Sequence, residues 1–322
     1  MLPPSFSSQL DAYKPKGYSF NDVATRWNHL STAYREKKGC YTQTKGDHMA
    51  YIMARMPATY AACQAVLEEA IGSGLPVPQS ALDIGAGPGT MGWALSQLPQ
   101  GADIIVSQVE QDPEFITFCN RIRPPLKAIH NHKSFLGNTG LSIHDWVTMA
   151  YALCELKPAH QEAWVREAYT LVGQSLILIE PGTPVGYQTL MRARDQLIAL
   201  GGYVLAPCPH QARCPLGEGD WCHFSTRFER TQEARKLKQA TLPYEDEKFC
   251  YLIVTKSPHL HSLPKGRVLR HPQPRTGHIH LDICAPDGAY KRTTISAKTK
   301  SIYKLARSLK WGDDLPFDLP NP

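Results

Sequence analysis

The sequence predicts an α/β fold of the Rossmann-like kind, a largely parallel sheet covered by helices. Three observations predict it. From Ala81 onward, short apolar runs alternate with helix-length stretches, the pattern of successive βαβ units. A glycine-rich turn, Gly85-Ala86-Gly87-Pro88-Gly89, follows the first of these runs and precedes a helical stretch. The next run ends on a carboxylate, Glu110, about twenty residues beyond the last of those glycines.

The first 75 residues read as helical. Phe20 to Tyr34 has apolar residues at helical spacing, and Tyr51 to Ile71 is an Ala-rich amphipathic run stopped by Gly72-Ser73-Gly74-Leu75-Pro76. The strands expected after that break are 81–84, 104–109, 146–150 and 175–179, with a shorter one at 203–205 and a closing one at 251–254. Residues 207–250 are too polar and turn-rich for a simple crossover and read as an insertion. After Ser257-Pro258, the strand-like run Gly277 to Ile283 and the turn Pro286-Asp287-Gly288 point to a small β-rich unit. The expected division is a helical region over 1–75, a Rossmann domain over 76–256 with its insertion at 207–250, and a basic β-rich extension over 257–322. Neither an internal repeat nor a low-complexity segment is present.

Glycine lacks a Cβ, so the loop at 85–89 can turn sharply and let a ligand approach the backbone. An acid ending the next strand accepts hydrogen bonds from ribose hydroxyls in dinucleotide and adenosyl sites alike. Spacing separates the two. The loop is Gly-x-Gly-x-Gly, without the Gly-x-Gly-x-x-Gly that seats a pyrophosphate, and Asp83 before it suits a ligand's ammonium group and repels a diphosphate. S-adenosylmethionine is therefore the expected ligand, on Asp83, Gly85, Gly87, Gly89 and Glu110, with NAD or FAD as the alternative. The whole fits a class I S-adenosylmethionine methyltransferase fold. No catalytic residue is assigned: the Asn/Asp-Pro-Pro-aromatic tetrad of enzymes that methylate exocyclic base nitrogens is replaced by Tyr151-Ala152-Leu153-Cys154-Glu155-Leu156. Cys154 reads as a buried thiol ahead of a nucleophile. Glu180-Pro181-Gly182-Thr183-Pro184 falls where an acceptor would meet the cofactor, or simply ends a strand.

Cys208, Cys214 and Cys222 form a Cys-x5-Cys-x7-Cys series on a proline-punctuated segment. Three thiols this close are poorly explained by packing and point to a metal. A fourth ligand must come from elsewhere: Cys284, at a strand-to-turn junction, is preferred to Cys250, inside the closing strand. Four thiolates suit either zinc or an iron–sulfur cluster. The short Cys-x2-Cys pairs of zinc ribbons and the Cys-x3-Cys-x2-Cys of radical enzymes are both absent, and the spacing leaves the metal open.

Composition bounds the setting. The chain has 322 residues, 42% apolar and 20% charged, and no run long enough to span a membrane. Nine cysteines without a secretory leader at the start argue against a disulfide framework, and neither a leader nor an Arg-rich presequence is visible, so a cytoplasmic place is expected. The net charge of +6 is concentrated late, from Lys256 onward. A basic segment of this kind suits a polyanion, and Lys291, Arg292, Lys304 and Arg307 are the candidate phosphate contacts.

Several segments together resemble one family. Ala54-Arg55-Met56-Pro57-Ala58-Thr59-Tyr60-Ala61-Ala62, the loop 83–90, Glu180 to Pro184, the segment Cys208 to Cys222, Glu245-Asp246-Glu247-Lys248-Phe249 and Lys310-Trp311-Gly312-Asp313 are similar to the methyltransferase-like small-ribosomal-subunit assembly proteins of bacteria and mitochondria. The resemblance runs from about Ala54 to Asp314. It implies a four-iron, four-sulfur (4Fe-4S) cluster on Cys208, Cys214, Cys222 and Cys284, and binding to small-subunit rRNA during maturation or initiation. Cys250 departs from the serine expected beside Phe249. The expected function is a small-subunit assembly or translation factor, monomeric off the ribosome; the alternatives are an active rRNA methyltransferase and a small-molecule methyltransferase with structural zinc.

Overall fold

The structure is a computed structural model describing all residues except 1, 15–18, 37–41, 43, 136, 138–139, 259–262 and 320–322. Four helices come first: α1 (Pro4–Tyr13), α2 (Phe20–Glu36), α3 (Lys45–Ala54) and α4 (Met56–Gly72). The single run expected over 51–71 is thus two helices meeting at Arg55. Pro57 accounts for the break, since proline fits the first turn of a helix but cannot continue the one before it. A capping box starts α3: the Thr44 side chain accepts from the Asp47 amide, and the Asp47 carboxylate accepts from the Thr44 amide. Helix α1, too short to stand out by periodicity, delivers Phe6 edge-on to Trp93 at 5.2 Å between ring centroids.

Strand and helix then alternate: β1 (Ser80–Ile84), α5 (Thr90–Leu95), β2 (Ile105–Val109), α6 (Pro113–Arg121), β3 (Ala128–His132), β4 (His144–Ala150), α7 (Pro158–Thr170), β5 (Val172–Pro181), α8 (Pro184–Ala199) and β6 (Tyr203–Ala206). Residues 207–250 contain β7 (Phe224–Glu229), α9 (Gln232–Leu237) and the first half of β8 (Tyr244–Thr255). The sheet order is β3-β2-β1-β4-β5-β8-β6, with β7 also pairing with β8. The first five strands run parallel, and β8 runs antiparallel to β5, β6 and β7. That order, with one reversed strand inserted before the last, is the class I methyltransferase arrangement of a Rossmann-like sheet.

The strand at 251–254 does not close the sheet at an edge but enters between β5 and β6. Leu252, Ile253 and Val254 are fully buried, as a central strand covered on both faces requires. The short β6 is left at the rim with Tyr203 exposed. β3, at the opposite rim, has the sequence Ala-Ile-His-Asn-His and offers too few apolar residues to be seen in advance. One apolar cluster joins the N-terminal helices to one face of the sheet, and a second packs α7 and α8 on the other.

The chain continues as β9 (Arg267–Val268), β10 (Gln273–Arg275), β11 (His278–Cys284), β12 (Tyr290–Ser296) and α10 (Lys300–Ser308). These make a four-stranded antiparallel sheet with its own apolar cluster, in which Ile302, Tyr303 and Ala306 of α10 cover Ile279, Leu281, Ile283 and Ile295. Arg267 ties this unit to the main sheet. Its buried guanidinium pairs with Glu69 of α4 at 2.6 Å and Asp314 at 2.8 Å, and donates to the carbonyls of Pro207 and Gly312.

Candidate functional site

Strand order reverses direction between β1 and β4, and ligands of open α/β sheets bind outside the carboxyl ends of strands at such a point. The glycine loop leaves β1 there. Gly85, Gly87 and Gly89 all have positive φ, at 75°, 53° and 77°. A Cβ on Gly85 would meet the Ala152 Cβ at 2.6 Å, whereas one on Gly87 would meet nothing within 4 Å. The loop is therefore packed on one side and open above Gly87, where a ligand has room to approach.

Glu110 does reach this loop, but its carboxylate is occupied by backbone. One oxygen accepts from the Gly87 amide at 2.7 Å, and the other from the amides of Gln111 and Asp112 at 2.8 Å each. Asp83 is 2% exposed; its Oδ1 accepts from the Thr148 hydroxyl at 2.8 Å and its Oδ2 has no partner. Burial pushes the Asp83 carboxyl up to about 7, with Thr148 opposing and Glu110 adding to the rise. An orphaned oxygen under the loop is the feature a cationic ligand, or a water beneath it, would satisfy.

Beside this loop lies a buried ion pair that no sequence motif announces. Arg55, at the α3–α4 junction, donates twice to Glu247 of β8, at 2.9 and 2.7 Å. The Tyr151 hydroxyl donates to the same carboxylate at 2.9 Å, and the Arg55 guanidinium lies 4.9 Å from the Tyr151 ring centroid. Tyr151 follows β4 directly and adopts φ +58°, which turns the chain so that Ala152 abuts Gly85. Both charged partners stand in segments that carry the family resemblance, yet separations along the chain give no hint that they pair.

Glu180 is fully buried at the end of β5 and accepts from the amides of Leu153 and Cys154. Burial pushes its carboxyl up to about 8. At the end of its strand the Glu180 side chain holds the turn after β4. Burial and the neighbouring Glu180 carboxylate raise the Cys154 thiol, the reverse of what a nucleophile needs.

The thiols gather at the other side of β5. Cys208, Cys214 and Cys222 from the loop between β6 and β7, Cys250 from β8 and Cys284 at the end of β11 line one apolar recess under Tyr187, Leu190 and Met191 of α8. The Tyr187 hydroxyl lies 3.1 Å from the Cys214 Sγ, and His210 Nε2 lies 3.1 Å from the Cys284 Sγ. Cys250 donates its S–H to the Cys222 carbonyl at 3.1 Å. Burial raises the Cys208 and Cys222 thiols and pushes Cys250 and Cys284 up to about 12. Among the described residues no group of three or more His, Cys, Asp or Glu side chains is arranged to hold a metal ion, so the thiols share a recess without converging on one point. Both fourth-ligand candidates, Cys284 and Cys250, face it.

The candidate phosphate contacts divide between two elements. Lys304 and Arg307 lie three residues apart on α10 and are exposed on one face. Lys291 and Arg292 are consecutive on β12 and so project to opposite faces; Lys291 bonds Asp287 at 2.5 Å and Arg292 lies 3.8 Å from Asp282.

Residues 45–316 match the family model described as mitochondrial small ribosomal subunit Rsm22. The human ribosome assembly protein METTL17, mitochondrial, is 27% identical over 313 residues, covering 90% of this chain and 66% of that protein. Rsm22-cox11 tandem protein 2, mitochondrial, of Schizosaccharomyces pombe is 26% identical, covering 92% of this chain and 47% of that protein. The chain thus spans less than two thirds of the length of these curated relatives. Magnesium protoporphyrin IX methyltransferase from Synechocystis PCC 6803 with bound SAH aligns at a TM-score of 0.42 and 13% identity, over 79% of this chain and all of that one. At that score the fold assignment rests on the strand order itself. The cytoplasmic expectation is corrected: the family description and both named relatives are mitochondrial. The residues at the start of the chain, on which that expectation depends, do not decide a compartment.

Proposed function

Since the chain belongs to the Rsm22 family of mitochondrial small-ribosomal-subunit proteins, we propose that it is an assembly or translation factor that binds the small subunit through its rRNA. In this reading the methyltransferase-type sheet holds S-adenosylmethionine on Asp83, Gly85, Gly87, Gly89 and Glu110, and Cys208, Cys214, Cys222 and Cys284 hold a four-iron, four-sulfur cluster. What carries it is the meeting of those four cysteines in one recess, because three come from the loop beside the main sheet and the fourth from the unit that bears α10.

The residues fit both groups. Four thiols lining one apolar recess are the donor set that an iron–sulfur cluster takes. Bound there, the cluster supplies a covalent cross-link between the two units. Space above Gly87 and the unpartnered Asp83 oxygen suit a cationic adenosyl ligand. An active rRNA methyltransferase is the second reading; Glu180, engaged by backbone amides, and Glu247, held by Arg55 and Tyr151, do not offer it a free base.

The RNA surface is assigned to the exposed basic face of α10, with Lys291 and Arg292 of β12 as further candidate contacts. Replacing Lys304 and Arg307 by Glu, alone and with Lys291→Glu and Arg292→Glu, should weaken co-sedimentation with mitochondrial small-subunit particles. It should also flatten the salt dependence, by roughly one logarithmic unit of slope for each phosphate no longer neutralised. Unchanged binding and slope in the fourfold variant would sink the assignment.

A further inference from the structure

Arg194, on α8, has 1% of its side chain exposed. A guanidinium stays charged at any pH a folded protein meets. Its Nη2 donates to the carbonyls of His210 at 3.0 Å and Ala212 at 2.8 Å, and its Nε has no hydrogen-bond partner. The carboxylate beside it, Asp195, is 3.7 Å from Nη1 and 74% exposed, so water screens most of that charge. Both carbonyls that accept from Arg194 belong to the stretch between Cys208 and Cys214, two of the thiols that line the recess, and His210 Nε2 lies 3.1 Å from the Sγ of a third, Cys284.

Arg267 gives the contrast. It lines the recess itself and is equally buried, but it is matched by two carboxylates, Glu69 and Asp314. Among the described residues Arg194 has no buried carboxylate paired with it, an unfavourable arrangement unless something else in the interior carries negative charge. Four thiolates around a four-iron, four-sulfide core leave a net charge of about −2, and Arg194 grips the backbone between two of those thiols, Cys208 and Cys214.

We propose that Arg194 is the buried counter-cation of the thiolate-bound cluster, the residue that balances its charge, helps retain it and raises its reduction potential. This rests on the cluster reading above. Reduction makes the cluster more negative by one electron, and a nearby fixed cation favours the more negative state. Removing the charge therefore moves the potential to more negative values. Arg194 acts on the cluster through space and through the loop between Cys208 and Cys214, whose carbonyls it holds, and is a positioning residue, not a ligand.

The test compares full-length wild type, Arg194→Lys and Arg194→Gln after anaerobic reconstitution with ferrous iron and sulfide. Iron and acid-labile sulfide are counted, retention is followed against a chelator, and midpoint potentials are read from the paramagnetic signal of the reduced cluster. Wild type and the Lys variant should load alike with similar potentials, while the Gln variant takes a more negative potential and releases iron faster. A Gln variant that stays empty while the Lys variant loads leads to the same conclusion. Any outcome in which Lys does no better than Gln overturns the proposal, including equal shifts, a wild-type potential in Gln, or two empty variants with native far-UV spectra. Wild type that takes up no iron and sulfide removes the cluster reading itself and this proposal with it. Loaded wild type with a charge-insensitive potential removes the proposal alone.

Discussion

Glu247→Gln keeps the shape of the side chain in the ion pair beside the glycine loop and removes its charge. Arg55 then loses an anion held by two hydrogen bonds, and the Tyr151 hydroxyl must share the one remaining acceptor oxygen with it. Breaking a buried pair by neutralising one partner costs roughly 3–5 kcal/mol. The side chains of Arg55 and Glu247 are 25% and 9% exposed, so water recovers part of the loss and the lower end, about 3 kcal/mol, is expected. In urea this should lower the unfolding midpoint by about 1 M, for a slope of about 3 kcal/mol per molar. Arg55→Met should cost a similar amount, and the double variant should fall short of the sum by about 1–3 kcal/mol, because the second change removes a charge the first left stranded. Single losses below about 1 kcal/mol that simply add would refute the reasoning, since that is how an exposed ion pair behaves.

Asp83, pushed up to about 7 in the folded protein, holds its proton more tightly than an unfolded carboxylate. Its contribution to stability should be full below about pH 4 and fade as pH rises toward 7, a slope that Asp83→Asn abolishes in pH-dependent melting. A cationic adenosyl ligand should conversely bind more tightly as pH rises through 7, with proton release visible by calorimetry in buffers of different ionisation enthalpy. Gly87→Val should abolish adenosyl binding in the same instrument, because φ is +53° there and a branched side chain would enter the open space above the loop. Cys284→Ser should lose iron and sulfide while Cys250→Ser retains them; the reverse result would make Cys250 the fourth ligand.

Much of the sheet was legible because buried parallel strands are short, mostly apolar runs, and the segments at 81–84, 104–109, 146–150 and 175–179 have that character. β3 was not, since a rim strand with none of its residues fully buried needs no such run. The insertion of β8 between β5 and β6 follows from pairing across the sheet, which no local pattern records. In the site, the glycines and Glu110 were visible as a motif, whereas the capture of Glu110 by the Gly87 amide is a matter of geometry. The three clustered cysteines declared themselves by spacing. The choice between Cys250 and Cys284 did not, because strands from two different sheets bring both to one recess. Arg55, Glu247 and Arg194 are ordinary charged residues in sequence, and only burial singles them out.

The place of β8 has a consequence for the growing polypeptide. Among the described residues the strand that pairs with β6 in the main sheet is β8, which is made after the thiol-bearing loop that follows β6. Until β8 leaves the exit tunnel, β6 lacks that ladder, and the loop with Cys208, Cys214 and Cys222 lacks the Cys250-bearing strand that lines the recess with it. The wall containing Cys284 arrives later still. During synthesis there is accordingly an interval in which three thiols are out in solvent on an unanchored stretch of chain, exposed to oxidants and to metal donors alike. Slowing translation between β6 and β8 would lengthen that interval, and speeding it would shorten it, with no change in the final fold.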